Sequence, residues 1–154
     1  MPTNLLAVAR RPNLASEKTV EKWCDDLIAQ IAGKQGVVRF SQARETNQTR
    51  GIADRLYSPW SCDVWFEVKS EKPDAQLSRE QSVFLRARLE AGVLASCGRL
   101  DELRRTLDAL REELFRDAPA GHALAVCAEI VQDWEGRGFR GEKKPRRSPK
   151  ETRP

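Results

Sequence analysis

The sequence predicts an α/β fold in which a mixed sheet is covered by helices, with the element order α-β-β-β-α-β-α and a C-terminal helix. Three observations carry this reading. Apolar residues recur at helical spacing over residues 17–33, 79–91, 99–117 and 122–136. Between these stretches lie short alternating or continuous apolar runs, and Gly, Pro and Ser punctuate the joins. With 154 residues, 40% of them hydrophobic, the chain can bury one real core and is short for two.

Taken in order, Ser16 is the N-cap of a first helix that carries Val20, Trp23, Cys24, Leu27, Ile28 and Ile31 on one face and ends at Gly33 and Gly36. "GVVRFSQ" reads as a strand, "ARETNQTRG" as a polar loop, "IADRLYS" as a second strand and "DVWFEVKS" as a third, with Pro59 and Ser61 in the intervening turn. After "EKPDAQ", Ser78 caps a helix with Glu80 and Gln81 in its first turn, followed by Phe84, Leu85, Ala87 and Leu89 before Gly92. "VLASCG" is short and apolar, which predicts a fourth strand in the interior of the sheet. "RLDELRRTLDALREELFRD" is an amphipathic helix, and "HALAVCAEIVQDWEG" opens another after Pro119 and Gly121. A meander of three strands followed by a helical crossover to a fourth gives a mixed sheet.

Composition narrows the function classes. The N-terminus has no adequate apolar h-region and no stretch approaches a membrane span, so a membrane partner is not expected and the reading is cytoplasmic. Cys24, Cys62, Cys97 and Cys127 are far apart, form no CxxC pair and accompany a single histidine, His122, so neither a zinc site nor a disulfide framework is expected. The net charge of +4 is uneven, because residues 137–154 hold eight Lys or Arg against two Glu. Rich in charge and Pro, this stretch reads as a disordered basic tail, suited either to salt-sensitive attraction to phosphate backbones or to solubility alone. The expected organisation is an N-terminal extension at 1–16, one domain at 17–136 and the tail at 137–154.

The chemistry is concentrated in "DVWFEVKS". Side chains alternate along a strand, so Trp65, Glu67 and Lys69 share one face and Val64, Phe66 and Val68 the other. Charges in such a strand require water, an ion pair or a metal ion. If the second and third strands are antiparallel neighbours turning near Pro59, Asp54 and Glu67 stand at comparable heights. Two carboxylates with the Val68 carbonyl make a hard oxygen site suited to Mg²⁺ or Mn²⁺. Lys69 is then placed to orient a water or to steady developing negative charge, which is the chemistry of phosphodiester hydrolysis. Arg39, Arg44, Arg50 and Arg55 surround these strands as candidate contacts to a nucleic-acid backbone. Trp60 and Trp65 are candidates for base stacking, for the core or for a dimer contact.

The ordered set "GIAD", "EVK" and "SREQ" resembles the VRR-NUC branch of the PD-(D/E)xK nuclease superfamily, over about residues 17–100. The resemblance implies a restriction-endonuclease-like sheet, with Asp54 and Glu67 as metal ligands, Lys69 as the catalytic lysine and Gln81 reaching back into the site from its helix. Gln81 is equally placed to cap that helix or bind water. Family members also carry a glutamate on the first helix, and Glu21 fits by its distance from Gly36, although Glu17, Asp25 and Asp26 share that helix. The sequence departs from the family in having Ala53 where Pro usually precedes the Asp, a change that removes rigidity but no ligand. The implied activity is that of a metal-dependent endonuclease acting on DNA, structure-selective for branched or junction forms. Junction cutting calls for a homodimer, for which the apolar faces of residues 100–114 and 123–134 are candidates, though they equally serve to cover the sheet. The alternatives are a non-catalytic nucleic-acid-binding or scaffolding protein, or a subunit of a larger restriction or repair system.

Overall fold

The structure, a computed structural model, describes residues 14–40 and 51–142. Within them the chain forms α1 (Glu17–Ala32), β1 (Val37–Arg39), β2 (Arg55–Tyr57), β3 (Val64–Val68), α2 (Arg79–Glu90), β4 (Leu94–Gly98), α3 (Leu100–Phe115) and α4 (His122–Glu135), with 3₁₀ turns at Lys34–Gly36 and Pro59–Ser61. The described residues are thus a mixed α/β fold of four helices and one four-stranded sheet. Strands lie in the order β1-β2-β3-β4, with β1 to β3 antiparallel and β4 parallel to β3 across the α2 crossover. No helix among the described residues is long and apolar enough to cross a membrane.

Local chemistry sets the element boundaries. The Ser16 hydroxyl accepts from the Thr19 amide and opens α1, and at the other end the Gly33 amide donates to Ala29. Ser78 and Gln81 form a reciprocal capping box at the start of α2: the hydroxyl accepts from the Gln81 amide, and the Gln81 side-chain oxygen accepts from the Ser78 amide at 2.8 Å. The expected second strand is short, spanning only Arg55–Tyr57, because Gly51 turns the chain just ahead of it at φ +86°. A Cβ at Gly51 would lie 2.4 Å from the backbone of Glu80, so a glycine lets this turn rest on the start of α2.

Two clusters form most of the core. Tyr57, Phe66 and Val68 pack against Val20, Cys24 and Ile28 of α1 and Leu103 and Leu107 of α3. On the other face Ala95 and Cys97 pack against Leu85 and Leu89 of α2 and Cys127, Ile130, Val131 and Trp134 of α4. Trp65 faces this second cluster, half-buried between Phe40 and Phe84, while Trp60 packs edge-on to Phe115. Arg86 and Ser82 of α2 both bind the Glu135 carboxylate, which ties α2 to α4.

Two expectations change and one open choice is decided. β4 is an edge of the sheet rather than an interior strand; its apolar run reflects helices covering both faces, which continuous hydrophobicity cannot tell from a central position. The faces of α3 and α4, open in the sequence between a dimer contact and covering the sheet, take the second role, buried within the chain at Leu103, Leu107, Leu110, Cys127, Ile130 and Trp134. The ordered chain also runs past the expected boundary at 136. Phe139 bridges to Leu77 and packs on the core, the Arg140 amide donates to the Leu77 carbonyl at 2.8 Å, and the Arg137 guanidinium lies 4.0 Å from the Trp134 ring centre. Residues 1–13 and 143–154 lie outside the described residues.

All four cysteines are free; Cys24, Cys97 and Cys127 are buried and Cys62 is half-buried. Burial pushes the Cys24 and Cys127 thiols up to about 12 and raises Cys97 well above its ordinary value. A thiol reagent applied to the native protein near neutral pH therefore labels Cys62 and, on denaturation, all four cysteines; rapid native labelling of Cys24 or Cys127 would show that the core is not closed as described.

Candidate functional site

The antiparallel register of β2 and β3 pairs Arg55 with Phe66, so the preceding residue, Asp54, falls opposite Glu67. Side-chain alternation then separates neighbours: Arg55 and Tyr57 point toward α1, and Asp54 joins Glu67 and Lys69 on the other face. The first turn of α1 closes over the end of these strands. As a result single carboxylate oxygens of Glu17, Asp54 and Glu67 lie within 4.8 Å of one another. They line a cleft of about 450 Å³ together with Glu21, Arg39, Phe40, Arg55, Gln81 and Arg140.

Lys69 is 2% exposed, with its Nζ donating to Gln81 Oε1 at 2.9 Å and lying 3.7 Å from Glu67 Oε2. Gln81 therefore does two of the things its position allows, since the same Oε1 accepts from Lys69 and from the Ser78 amide. The capping box fixes the side chain that fixes the lysine. Val68 turns its own side chain into the core beside Phe66, opposite Glu67.

Two oxygens of the cluster, Asp54 Oδ2 and Glu67 Oε1, are buried without any hydrogen-bond partner. Buried carboxylate oxygens are ordinarily satisfied, and leaving one bare costs about 1–3 kcal/mol or more. Three carboxyl groups share one ammonium, so with all of them ionised they would carry two more negative charges than Lys69 balances. Hard oxygen donors, close spacing, orphaned lone pairs and this excess charge all fit a divalent cation such as Mg²⁺ or Mn²⁺. Burial is the largest cause raising the Glu67 carboxyl well above its usual range, with the charge of Asp54 next, Lys69 opposing, and a close side-chain approach to Asp54, where a proton could be shared, raising it further. Glu17 is raised in the same way, by burial first and then by Asp54.

The helix glutamate in this cluster is Glu17, one turn before the expected Glu21. Glu21 instead accepts from Arg55 NH2 at 3.2 Å, and its carboxyl is raised by burial against the opposing pull of Arg55. Glu17, Glu21 and Asp25 repeat at i, i+4 and i+8 and form one acidic stripe along α1. That spacing is visible in the sequence and is the signal that would have brought Glu17 and Asp25 forward.

Of the four expected backbone-binding arginines, Arg44 and Arg50 lie outside the described residues. Arg55 is 8% exposed and holds Asp25 through Nε at 2.8 Å, while Tyr57 Oη donates to the same carboxylate at 2.8 Å. Burial pulls the Arg55 pKa down, but its hydrogen bonds to Asp25 and the charges of Asp25 and Glu21 outweigh this and hold it above the ordinary value. Its structural work is to neutralise the acidic stripe, because strand alternation turns it inward toward α1. Arg39 is exposed at the cleft and also bonds Asp25, at 3.1 Å.

Comparison with protein-family models, with curated proteins and with solved structures finds no match to this chain.

The unpartnered Glu67 oxygen has a measurable consequence. A carboxyl whose folded pKa lies above its unfolded one binds more protons when folded, so metal-free stability falls as pH rises from the ordinary glutamate range through the raised value. Glu67→Gln should flatten this pH dependence and raise metal-free stability at neutral pH by on the order of 1–3 kcal/mol. It should also abolish any rise in melting temperature with Mg²⁺ or Mn²⁺; a variant less stable in EDTA, or one still stabilised by the ions, would contradict the site. In the neighbouring network Asp25→Ala leaves the Arg55 guanidinium buried without its main partner and should cost about 3–5 kcal/mol in denaturant unfolding. A loss below about 1 kcal/mol would return Arg55 to the surface arginines.

Proposed function

We propose that this chain is a metal-dependent endonuclease of the VRR-NUC type, hydrolysing DNA phosphodiester bonds on a restriction-endonuclease-like fold and selecting branched or junction DNA. The observation that carries the proposal is the pair of buried, unpartnered oxygens on Asp54 and Glu67, with Glu17 beside them and Lys69 held at their edge. An acidic cluster alone is common. A bare buried pair is not, and a structural role would favour satisfying it.

Glu17, Asp54 and Glu67 would hold Mg²⁺ or Mn²⁺, and the Val68 carbonyl is proposed as a further oxygen donor from its place next to Glu67 in the sequence. Such an ion supplies charge stabilisation at a phosphate oxygen and lowers the pKa of a bound water. The protein's own contribution is positioning. Lys69 has three N–H donors; one is given to Gln81 and another faces Glu67, and the third would serve a water or a phosphate oxygen at the edge of the cleft, whose lining stops at Glu67 and Gln81. Its ammonium is thus preorganised where negative charge would build on the phosphorus-bound oxygens, and no side chain need reorganise during reaction. Water would add to phosphorus as one P–O ester bond breaks, the water's proton passing to solvent and the departing sugar oxygen taking one from solvent, while Lys69 steadies the negative charge that develops. The unpaired thiols support a reducing, cytoplasmic setting.

The test is cleavage of end-labelled duplex, single-stranded, flap and four-way-junction DNA with Mg²⁺ or Mn²⁺ against EDTA. The wild-type chain should cut in a metal-dependent way and prefer a branched substrate. Asp54→Ala and Lys69→Ala should each lower the rate by at least about a hundredfold while remaining folded. Binding without cutting on every substrate would favour a silent nucleic-acid-binding module or a missing partner subunit.

A further inference from the structure

The cleft is lined by four acidic side chains, Glu17, Glu21, Asp54 and Glu67, and a polyanionic substrate entering it needs a cation to meet. Three arginines line it. Arg55 is committed to Asp25 and Glu21, and Arg39 to Asp25. Arg140 is the third, exposed at the cleft and in none of the ion pairs among the described residues.

Arg140 does not arrive there on a loose end. Phe139 pairs with Leu77 in parallel fashion and packs on the core, and the Arg140 amide donates to the Leu77 carbonyl. Upstream, Gln76 Nε2 donates to the Arg137 carbonyl at 2.8 Å; downstream, Arg79 pairs with Glu142. The Arg79 guanidinium lies 4.6 Å from the Phe139 ring centre. Leu77 stands just before the Ser78–Gln81 box that holds Lys69. The same short stretch of chain therefore fixes Lys69 from one side and Arg140 from the other.

We propose that Arg140 is a substrate-binding residue of the cleft, contacting a DNA phosphate, and that residues 137–142 dock beside Leu77 in order to deliver it. The proposal rests on the nuclease reading and adds to it a residue outside the acidic and lysine machinery. Arg140 forms no ion pair with the carboxylates of the cluster, although its charge favours the ionised form of Glu17, so its part in substrate binding is read without metal and without turnover.

The test is fluorescence anisotropy of a fluorescein-labelled DNA duplex with the full-length protein in EDTA, across a salt series. Arg140→Ala is compared with Arg140→Lys and with Arg111→Ala, which removes an equal charge from an exposed position on α3 that does not line the cleft. Loss of one charge-assisted contact predicts about tenfold weaker binding for Arg140→Ala. The slope of log affinity against log salt should become shallower by about 0.9, the share of one phosphate. Arg140→Lys should recover most of the affinity, and Arg111→Ala should remain within about twofold of wild type. If Arg140→Ala and Arg111→Ala behave alike while the wild type binds, Arg140 does not contact the backbone and the proposal falls alone. If the wild type binds no DNA at any salt, the nuclease reading falls and takes the proposal with it.

Discussion

The constraint on which the site depends is a buried carboxyl and a buried ammonium two residues apart at the end of β3. Glu67 and Lys69 sit on one side of β3 and the residue that follows it, 1% and 2% exposed, and the other positions of β3 are apolar. Neither is tolerable there alone. Lys69 is satisfied from α2 by Gln81, and Gln81 is held by the cap of its own helix. Glu67 has only the more distant Lys69 ammonium, 3.7 Å from its Oε2, while its Oε1 has no donor, and the antiparallel register adds Asp54 opposite it rather than a further donor. The fold thus spends its polar partners on the lysine and leaves the carboxylates bare.

The arrangement depends on chain segments far apart in sequence. Gly51 allows the turn before Asp54 to lie on the α2 backbone, so that the Asp54 strand and the Gln81 helix are set against each other. The first turn of α1 contributes Glu17, while the next turns of the same acidic stripe are quieted by Arg55. One helix face accordingly does two jobs. Its N-terminal carboxylate stays open to the cleft, and the ones that follow anchor the helix to the sheet through a buried network with Arg55 and Tyr57. Residues 137–142 close the far side through Phe139.

Much of this was legible in the sequence, for identifiable reasons. Helix positions followed from periodicity and caps, since Ser16 and Ser78 both cap as their chemistry suggests. The nearness of Asp54 and Glu67 followed from counting outward from the Pro59 turn, because an antiparallel pair converts sequence distance into register. What escaped was set by tertiary geometry. Arg55 looked like a surface cation because its inward direction is known only once the helix packed against β2 is known. Glu17 and Glu21 are chemically alike, and only the crossing of α1 over the strand ends decides between them. The docking of Phe139 was hidden by the charged residues around it, whose guanidinium groups pack over the aromatic rings instead of leaving them to water.

We propose that the bare oxygens of Asp54 and Glu67 hold a divalent cation. The most direct measurement is an anomalous difference map from crystals grown with Mn²⁺. One strong peak is expected among Glu17, Asp54 and Glu67, bonded to Asp54 Oδ2 and Glu67 Oε1. A map with no peak there, and with those carboxyls hydrogen-bonded to each other or to Lys69 instead, would contradict it.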